Sequence, residues 1–187
     1  MPSIIVYEFL SLDGYFEGPS GREMEFVQSS FLPSMEYDIA AQYGDIEALI
    51  MGRRTFDALA SYWPTDAASG EHLLGYMNGL KKLVVSSHPD VSAWENSEHL
   101  GNDPMNALRE CKHSSARDLM VIGSGIVVRE LVRADLVDEF RFLIFPLLLG
   151  DGRRLFDTAV PFRSLRLCRN HRFENGTLAL HYDRVAA

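Results

Sequence analysis

Lysine is almost missing from this sequence. Lys81, Lys82 and Lys112 are the only three, and the other fifteen of its 18 basic residues are arginine. Cysteine is nearly as scarce: Cys111 and Cys168 stand far apart, at a spacing that fits neither a metal knuckle nor a redox pair. Two unpaired thiols suit a reducing cytosol. The six histidines show no HxH, HxxxH or HExxH spacing, which argues against a metal centre. No apolar run is long enough to cross a bilayer, since "FLIFPLLLG" (142–150) is short and holds Pro146. The start "MPSIIVYEFL" lacks a basic n-region and soon meets Glu8, so it makes a poor signal peptide. There is no GxSxG elbow and no Cys–His arrangement for covalent catalysis. Positive charge is also in deficit. A net charge of -8 sets the surface against nucleic acid and anionic membrane. With no repeat, low-complexity tract or linker, these absences predict one cytoplasmic domain spanning 1–187.

What is present is an ordinary globular composition, 47% hydrophobic and 24% charged. "SIIVYEFLSL" reads as a buried strand broken at Asp13-Gly14, and 15–33 as a long loop or short helix over one face. "SMEYDIAAQYG" reads as a helix capped by Ser34, and "IEALIMG" as a second strand. "TFDALASYW" is a helix opened by Thr55 and closed by Pro64, and a further short helix is expected near 71–78. "LKKLVVSS", "SEHL", "DLMVIGSG" and "VDEFRFLIFPLLLG" supply four more strands. A helix begins at Asp103-Pro104, and "IVVRELVRA" is another. The last stretch alternates on either side of Asn175-Gly176, the signal of a two-residue hairpin. Buried strands alternating with helices predict an α/β fold. Its central sheet is mostly parallel and flanked by helices, with a C-terminal antiparallel hairpin.

Several strand exits carry polar or glycine-marked residues. "MGRRT" joins Gly52, which permits close backbone approach, to Arg53 and Arg54, whose planar forks suit phosphate, and to Thr55. "VIGSGIVV" puts Gly123, Ser124 and Gly125 at the mouth of a helix, where free N–H groups and the positive helix end favour an anion. "VVSS" ends in Ser86 and Ser87. Taken singly, each is equally readable as a plain turn. Taken together, they stand at the carboxyl ends of strands in one parallel sheet, where α/β proteins bind ligands. One extended nucleotide could touch them all. Tyr62-Trp63, after a helix, is read as packing.

The motif order "SLDGYFEGPSG", "ALIMGRRTFDAL", "KKLVVSS", "DLMVIGSGIVVRELVRADLVDEFRFLIFPLLLGDGRRLF" and terminal hairpin resembles the dihydrofolate reductase superfamily. Within it, the chain is most similar to the reductase domain of the bifunctional riboflavin-pathway deaminase–reductase and to stand-alone bacterial forms. The resemblance covers nearly the whole chain. It implies a dihydrofolate reductase-like fold that binds NADPH across the strand ends. Gly52, Arg53, Arg54 and Thr55 would hold the diphosphate and 2′-phosphate region, and Ser86 and Ser87 the adenosine ribose and its phosphate. Gly123, Ser124, Gly125, Ile126 and Val127 would wrap the pyrophosphate. It also implies a small pyrimidine- or pteridine-like substrate, the nearest named activity being 5-amino-6-(5-phosphoribosylamino)uracil reductase. Asp13 is the candidate for orienting substrate or relaying a proton, and Glu36 the candidate carboxylate on the first long helix. The apolar "FLIFPLLLG" offers an edge for a homodimer. The chain departs from a folate reductase in having no Trp before Trp63, and from the bifunctional enzymes in lacking the HxE and PCxxC elements of the zinc deaminase. A true dihydrofolate reductase and a non-catalytic nucleotide-binding module are the rival readings.

Overall fold

The computed structural model of the chain describes residues 2–157 and 159–185, and every candidate site residue falls within them. Strand β1 (Ile4–Ser11) is followed by a short strand β2 (Tyr15–Glu17), a single helical turn α1 (Glu25–Gln28) and helix α2 (Pro33–Tyr43). Then come β3 (Ile46–Gly52), α3 (Arg53–Ala60), α4 (Leu74–Gly79), β4 (Lys81–Val85), β5 (Ser97–His99) and α5 (Pro104–Ser114). The chain finishes with β6 (Asp118–Val121), α6 (Gly125–Arg133), β7 (Glu139–Phe145), β8 (Arg153–Arg154) and the hairpin β9 (Leu165–Arg172) and β10 (Leu178–Arg184).

The main sheet has the order β5-β4-β3-β6-β1-β7-β10-β9. Its first six strands are parallel and the hairpin joins antiparallel to β7. The alternation of β1 explains the two layers of core. Ile4, Val6 and Leu10 pack with Leu108 of α5 and Val128 and Leu131 of α6. Ile5 and Tyr7 pack with Met35 and Ile39 of α2, Phe56 of α3 and Met77 of α4 on the other face. Both faces of the central strands are therefore covered, which is why their sequences read as unbroken apolar runs.

Local details differ from the sequence reading in ways that bear on the site. Pro33 occupies the first turn of α2 and Leu32 its N-cap, so Ser34 is not the cap. Helix α3 begins at Arg53 with Gly52 as its N-cap, which places Thr55 inside the first turn rather than before it. Gly52 is needed here because a Cβ would meet Ser124 and Val127 at the start of α6. The 15–33 segment holds β2, which pairs with β8 in a separate two-stranded sheet. The hairpin has a three-residue loop, not a two-residue one. Phe173 N–H donates to the Thr177 carbonyl at 2.9 Å, Gly176 N–H donates to Phe173 at 3.0 Å, and Gly176 has φ of 88°. A left-handed glycine at the end of a three-residue loop is a common hairpin closure. Strand β7 is paired on both sides, by β1 and β10, so "FLIFPLLLG" presents no free strand edge; the free edges of the main sheet are β5 and β9.

Candidate active site

The site begins where the sheet comes apart. β1 stays paired with β7 from Ile5 to Ser11, but it matches β6 only from Ile4 to Val6. Beyond Val121 the chain follows β3 instead: Ile122 N–H donates to Ile50, and Gly52 N–H donates to the Gly123 carbonyl at 3.1 Å. Half of β1 thus loses its neighbour on one side. A cleft of about 1190 Å³ opens there, walled by β1, β2, α2, α3 and the 122–124 turn.

The two glycine motifs meet at this cleft. A Cβ on Gly52 would lie 2.7 Å from Ser124 Oγ, and one on Gly123 would lie 2.8 Å from Thr55 Oγ1. Gly123 also has φ of 109°, a conformation side chains rarely adopt. Gly125 is packed under the Phe16 ring, where a Cβ would come 2.7 Å from Cε1. Neither α3 nor α6 receives a side-chain cap at its N-terminus. The first N–H groups of both helices are therefore open donors at neighbouring positive helix ends. Ile126 is exposed and Val127 is buried against the core. Thr55, Gly123 and Ser124 line the cleft, as does Arg54.

Two arginines in the first turn of α3 oppose its dipole, an arrangement that favours a negative counter-charge. In this structure carboxylates of the same chain supply it. Arg53 bonds Asp57 at 2.9 Å and donates to the Asp90 carbonyl at 2.5 Å. Arg54 pairs with Glu17 of β2 at 2.9 Å, and Glu17 also reaches Arg153 of β8 at 3.5 Å. Among the cleft-lining residues Arg22, Arg54 and Arg153, each is already ion-paired, Arg22 with Glu25. Ser86 accepts from His88 N–H and its carbonyl contacts His99 Nε2 at 2.6 Å. Ser86 and Ser87 follow β4 and do not line the main cleft.

Much of the rest of the cleft lining is aromatic or acidic. Tyr62 and Trp63, read as packing from the sequence, both line it, with Phe9, Phe31 and Tyr43. Glu36 lies in the first turn of α2 on the cleft wall, where its Oε1 accepts from His72 N–H at 2.9 Å. Asp13 is not among the lining residues. Its carboxylate clasps a distant loop instead, accepting from Leu149 N–H at 3.1 Å and Gly150 N–H at 2.9 Å, and from Ser11 Oγ at 2.6 Å. Partial burial pushes its pKa up, but those hydrogen bonds outweigh it and hold the carboxyl at about 2.

The carboxyl that sequence reasoning passed over is Glu8. It is 7% exposed, lines the cleft from the middle of β1, and has no hydrogen-bond partner at Oε1 among the described residues. Burial alone lifts its pKa to about 8. Trp63 Nε1, also on the cleft wall, is buried and without a hydrogen-bond partner among the described residues as well. The signal was available: Glu8 is the one charge inside the apolar run before Asp13.

Known proteins share this fold. The family model of the RibD C-terminal domain matches residues 2–179. This chain belongs to that family. YyaP of Bacillus subtilis strain 168, itself uncharacterised, is 25% identical over 181 residues, covering 96% of this chain and 93% of YyaP. Among solved structures, a protein of Shewanella sp. PV-4 assigned to riboflavin biosynthesis superposes with a TM-score of 0.76 at 20% identity, covering 98% of this chain and 99% of that one. Dihydrofolate reductase from Enterococcus faecalis, solved with NADP(H), superposes with a TM-score of 0.64 at 15% identity over 97% of this chain and 96% of its own. The fold of this RibD C-terminal domain family member is dihydrofolate reductase-like, and its family points to a riboflavin-pathway type of reductase. Among the described residues no helix is long and apolar enough to cross a membrane.

Proposed function

We propose that this protein is an NADPH-dependent reductase of a small pyrimidine- or pteridine-like molecule. The observation that carries the reading is the docking of two uncapped helix starts, Gly52–Arg54 and Gly123–Gly125, through the 3.1 Å Gly52–Gly123 bond at the mouth of an aromatic cleft. The residues fit a dinucleotide. Open N–H groups of α3 and α6 would take phosphate oxygens, and Arg54 would add a charge-assisted contact once released from Glu17. Thr55 and Ser124 bring hydroxyls to the same rim.

When bound, the cofactor supplies a hydride. The chain's own residues do the rest. The gap beside β1 gives a flat ring a place between strands, and the aromatic walls hold an acceptor ring against it with water displaced. Glu36, fixed by the His72 N–H, offers a carboxylate oxygen to an N–H of that acceptor. Because the arginines on the cleft wall are all paired, the favoured acceptor is a ring without an anionic arm.

The test combines binding and turnover. Fluorescence titration should show NADPH held more tightly than NADH. The loss of NADPH absorbance should then be followed over a panel of dihydropterins and aminouracil imines. Equal affinity for the two cofactors, or none for either, would sink the assignment. Binding without oxidation over the whole panel would favour a nucleotide-binding module.

A further inference from the structure

Glu8 is a buried ionisable group whose Oε1 has no hydrogen-bond partner among the described residues. Even positions of β1 face α5 and α6, and Glu8 takes the place of an apolar residue between Val6 and Leu10. Its register partner on β7 is Phe142. Burying a carboxylate without a cation is costly, so the group persists as the neutral acid. Burial alone acts on it, and the cations of neighbouring elements are paired elsewhere. Arg54 of α3 and Arg153 of β8 are taken by Glu17 of β2. Arg141 of β7 is paired with Glu139, and Arg129 of α6 with Asp157. A neutral carboxyl has one O–H donor, and buried donors without an acceptor are rare in folded proteins. This one opens onto the cleft, at the place where β1 has lost β6.

We infer that the Glu8 carboxyl donates a proton to the nitrogen of a C=N bond in an uncharged heterocyclic substrate. This rests on the reductase reading and adds the acid to it. Hydride from the reduced nicotinamide forms the new C–H bond, and the C=N π pair moves onto nitrogen. That nitrogen takes the Glu8 proton to form N–H, leaving a carboxylate that water reprotonates. The product is a secondary amine and the cofactor leaves oxidised. A neutral acid suits a neutral acceptor, since an acceptor already cationic at nitrogen would have no lone pair for the proton. Glu36 and Asp13 are worse placed for this step, because the first is held by the His72 N–H and the second is saturated by three donors.

The test is Glu8→Gln in the full chain, with NADPH and 7,8-dihydrobiopterin as the first unphosphorylated probe. Expected are NADPH affinity within a few fold of wild type and a kcat lowered by about 10²–10⁴-fold. Wild-type kcat should fall as pH rises through about 8, and the variant should lack that limb. A kcat within about tenfold of wild type overturns the inference. So does a variant that loses NADPH affinity but keeps its turnover, because Glu8 would then be a cofactor contact. A measurement free of turnover keeps the two readings apart. Carbon-13 NMR of the glutamate carboxyls, with Glu8→Gln to assign the resonance, follows Glu8 directly. Titration in the ordinary carboxyl range overturns the inference whatever the substrate is. Titration near 8 supports the acid where NADPH binds; with no NADPH binding it leaves Glu8 a neutral buried acid, and the proton transfer to a C=N nitrogen falls with the reductase reading.

Discussion

Arg54 reaches across the cleft mouth to Glu17, 2.9 Å away, and so ties the N-terminus of α3 to the small β2–β8 sheet. Glu17 thereby occupies the cation that a phosphate would use. The pair is uneven: Arg54 is largely exposed while Glu17 is mostly covered. An exposed partner makes the pair weak, of order 0.2–1 kcal/mol. Glu17→Gln should free Arg54 and tighten NADPH by about two- to fivefold. A weaker affinity in that variant would mean that the carboxylate itself organises the site.

The two arginines of "MGRRT" are not equivalent. Arg53 is committed to Asp57 and the Asp90 carbonyl, whereas Arg54 lines the cleft. Arg54→Ala should therefore weaken NADPH by about tenfold or more, as expected for a lost charge-assisted contact. Arg53→Ala should weaken it less. Isothermal titration of both variants decides the order, and the reverse order would move the phosphate to the Arg53 side.

The glycines of the turn separate folding from binding. Gly123→Ala meets both a positive φ and Thr55 Oγ1, and should cost about 1–3 kcal/mol, a Tm drop of several degrees. Gly125→Val places its side chain against the ring of Phe16, a cleft-lining residue that must shift to make room. That variant should fold with a Tm lowered by a few degrees, because Phe16 belongs to the core, yet bind NADPH far more poorly than the Tm change accounts for. Wild-type affinity in a folded Gly125→Val would remove this turn from the cofactor site.

The sequence made the strand ends legible because apolar runs stop abruptly at Gly52, Ser86 and Gly123. It hid what those ends touch. β2 and β8 are two or three residues long, too short for any period, and they pair across most of the chain. Glu17 as the partner of Arg54 was invisible for the same reason. Asp13-Gly14 looked like a strand end beside chemistry, but its partners, Leu149 and Gly150, lie at the far end of the sequence. Glu8 was legible as a lone charge in a buried strand. Only the fold shows that the strand loses a neighbour at that point.

Asp13 should behave as a loop clasp. Its folded pKa of about 2 lies below the roughly 3.9 of an unfolded Asp. The stability it contributes is thus fully present above the unfolded value and is lost as pH falls towards 2. Solvent screening limits it to about 1 kcal/mol. Asp13→Asn should lower Tm by a few degrees at neutral pH, with the gap to wild type closing as pH falls from about 4 to about 2. Turnover should stay near wild type. A loss of about 10²-fold or more would bring Asp13 back into the chemistry.

Charge on the cleft walls should select against an anionic substrate arm. Arg22, Arg54 and Arg153 are each paired, and Glu23, Glu36 and Glu71 stand on the same walls with no ion pair among the described residues. If the cofactor takes Arg54, Glu17 is left to Arg153, and an anionic arm on the substrate finds no free partner. At an effective dielectric constant of about 20, a like-charge pair some 8 Å apart costs about 2 kcal/mol before screening. A ribosylamino-uracil should therefore bind at least about tenfold more tightly than its 5′-phosphate. Added salt should narrow that difference, because it screens repulsion. Glu23→Gln with Glu71→Gln should narrow it too, while leaving the unphosphorylated compound almost unaffected. If the phosphate ester binds more tightly, and more so at low salt, then the Arg22–Glu25 pair opens to receive it and the substrate carries the anion after all.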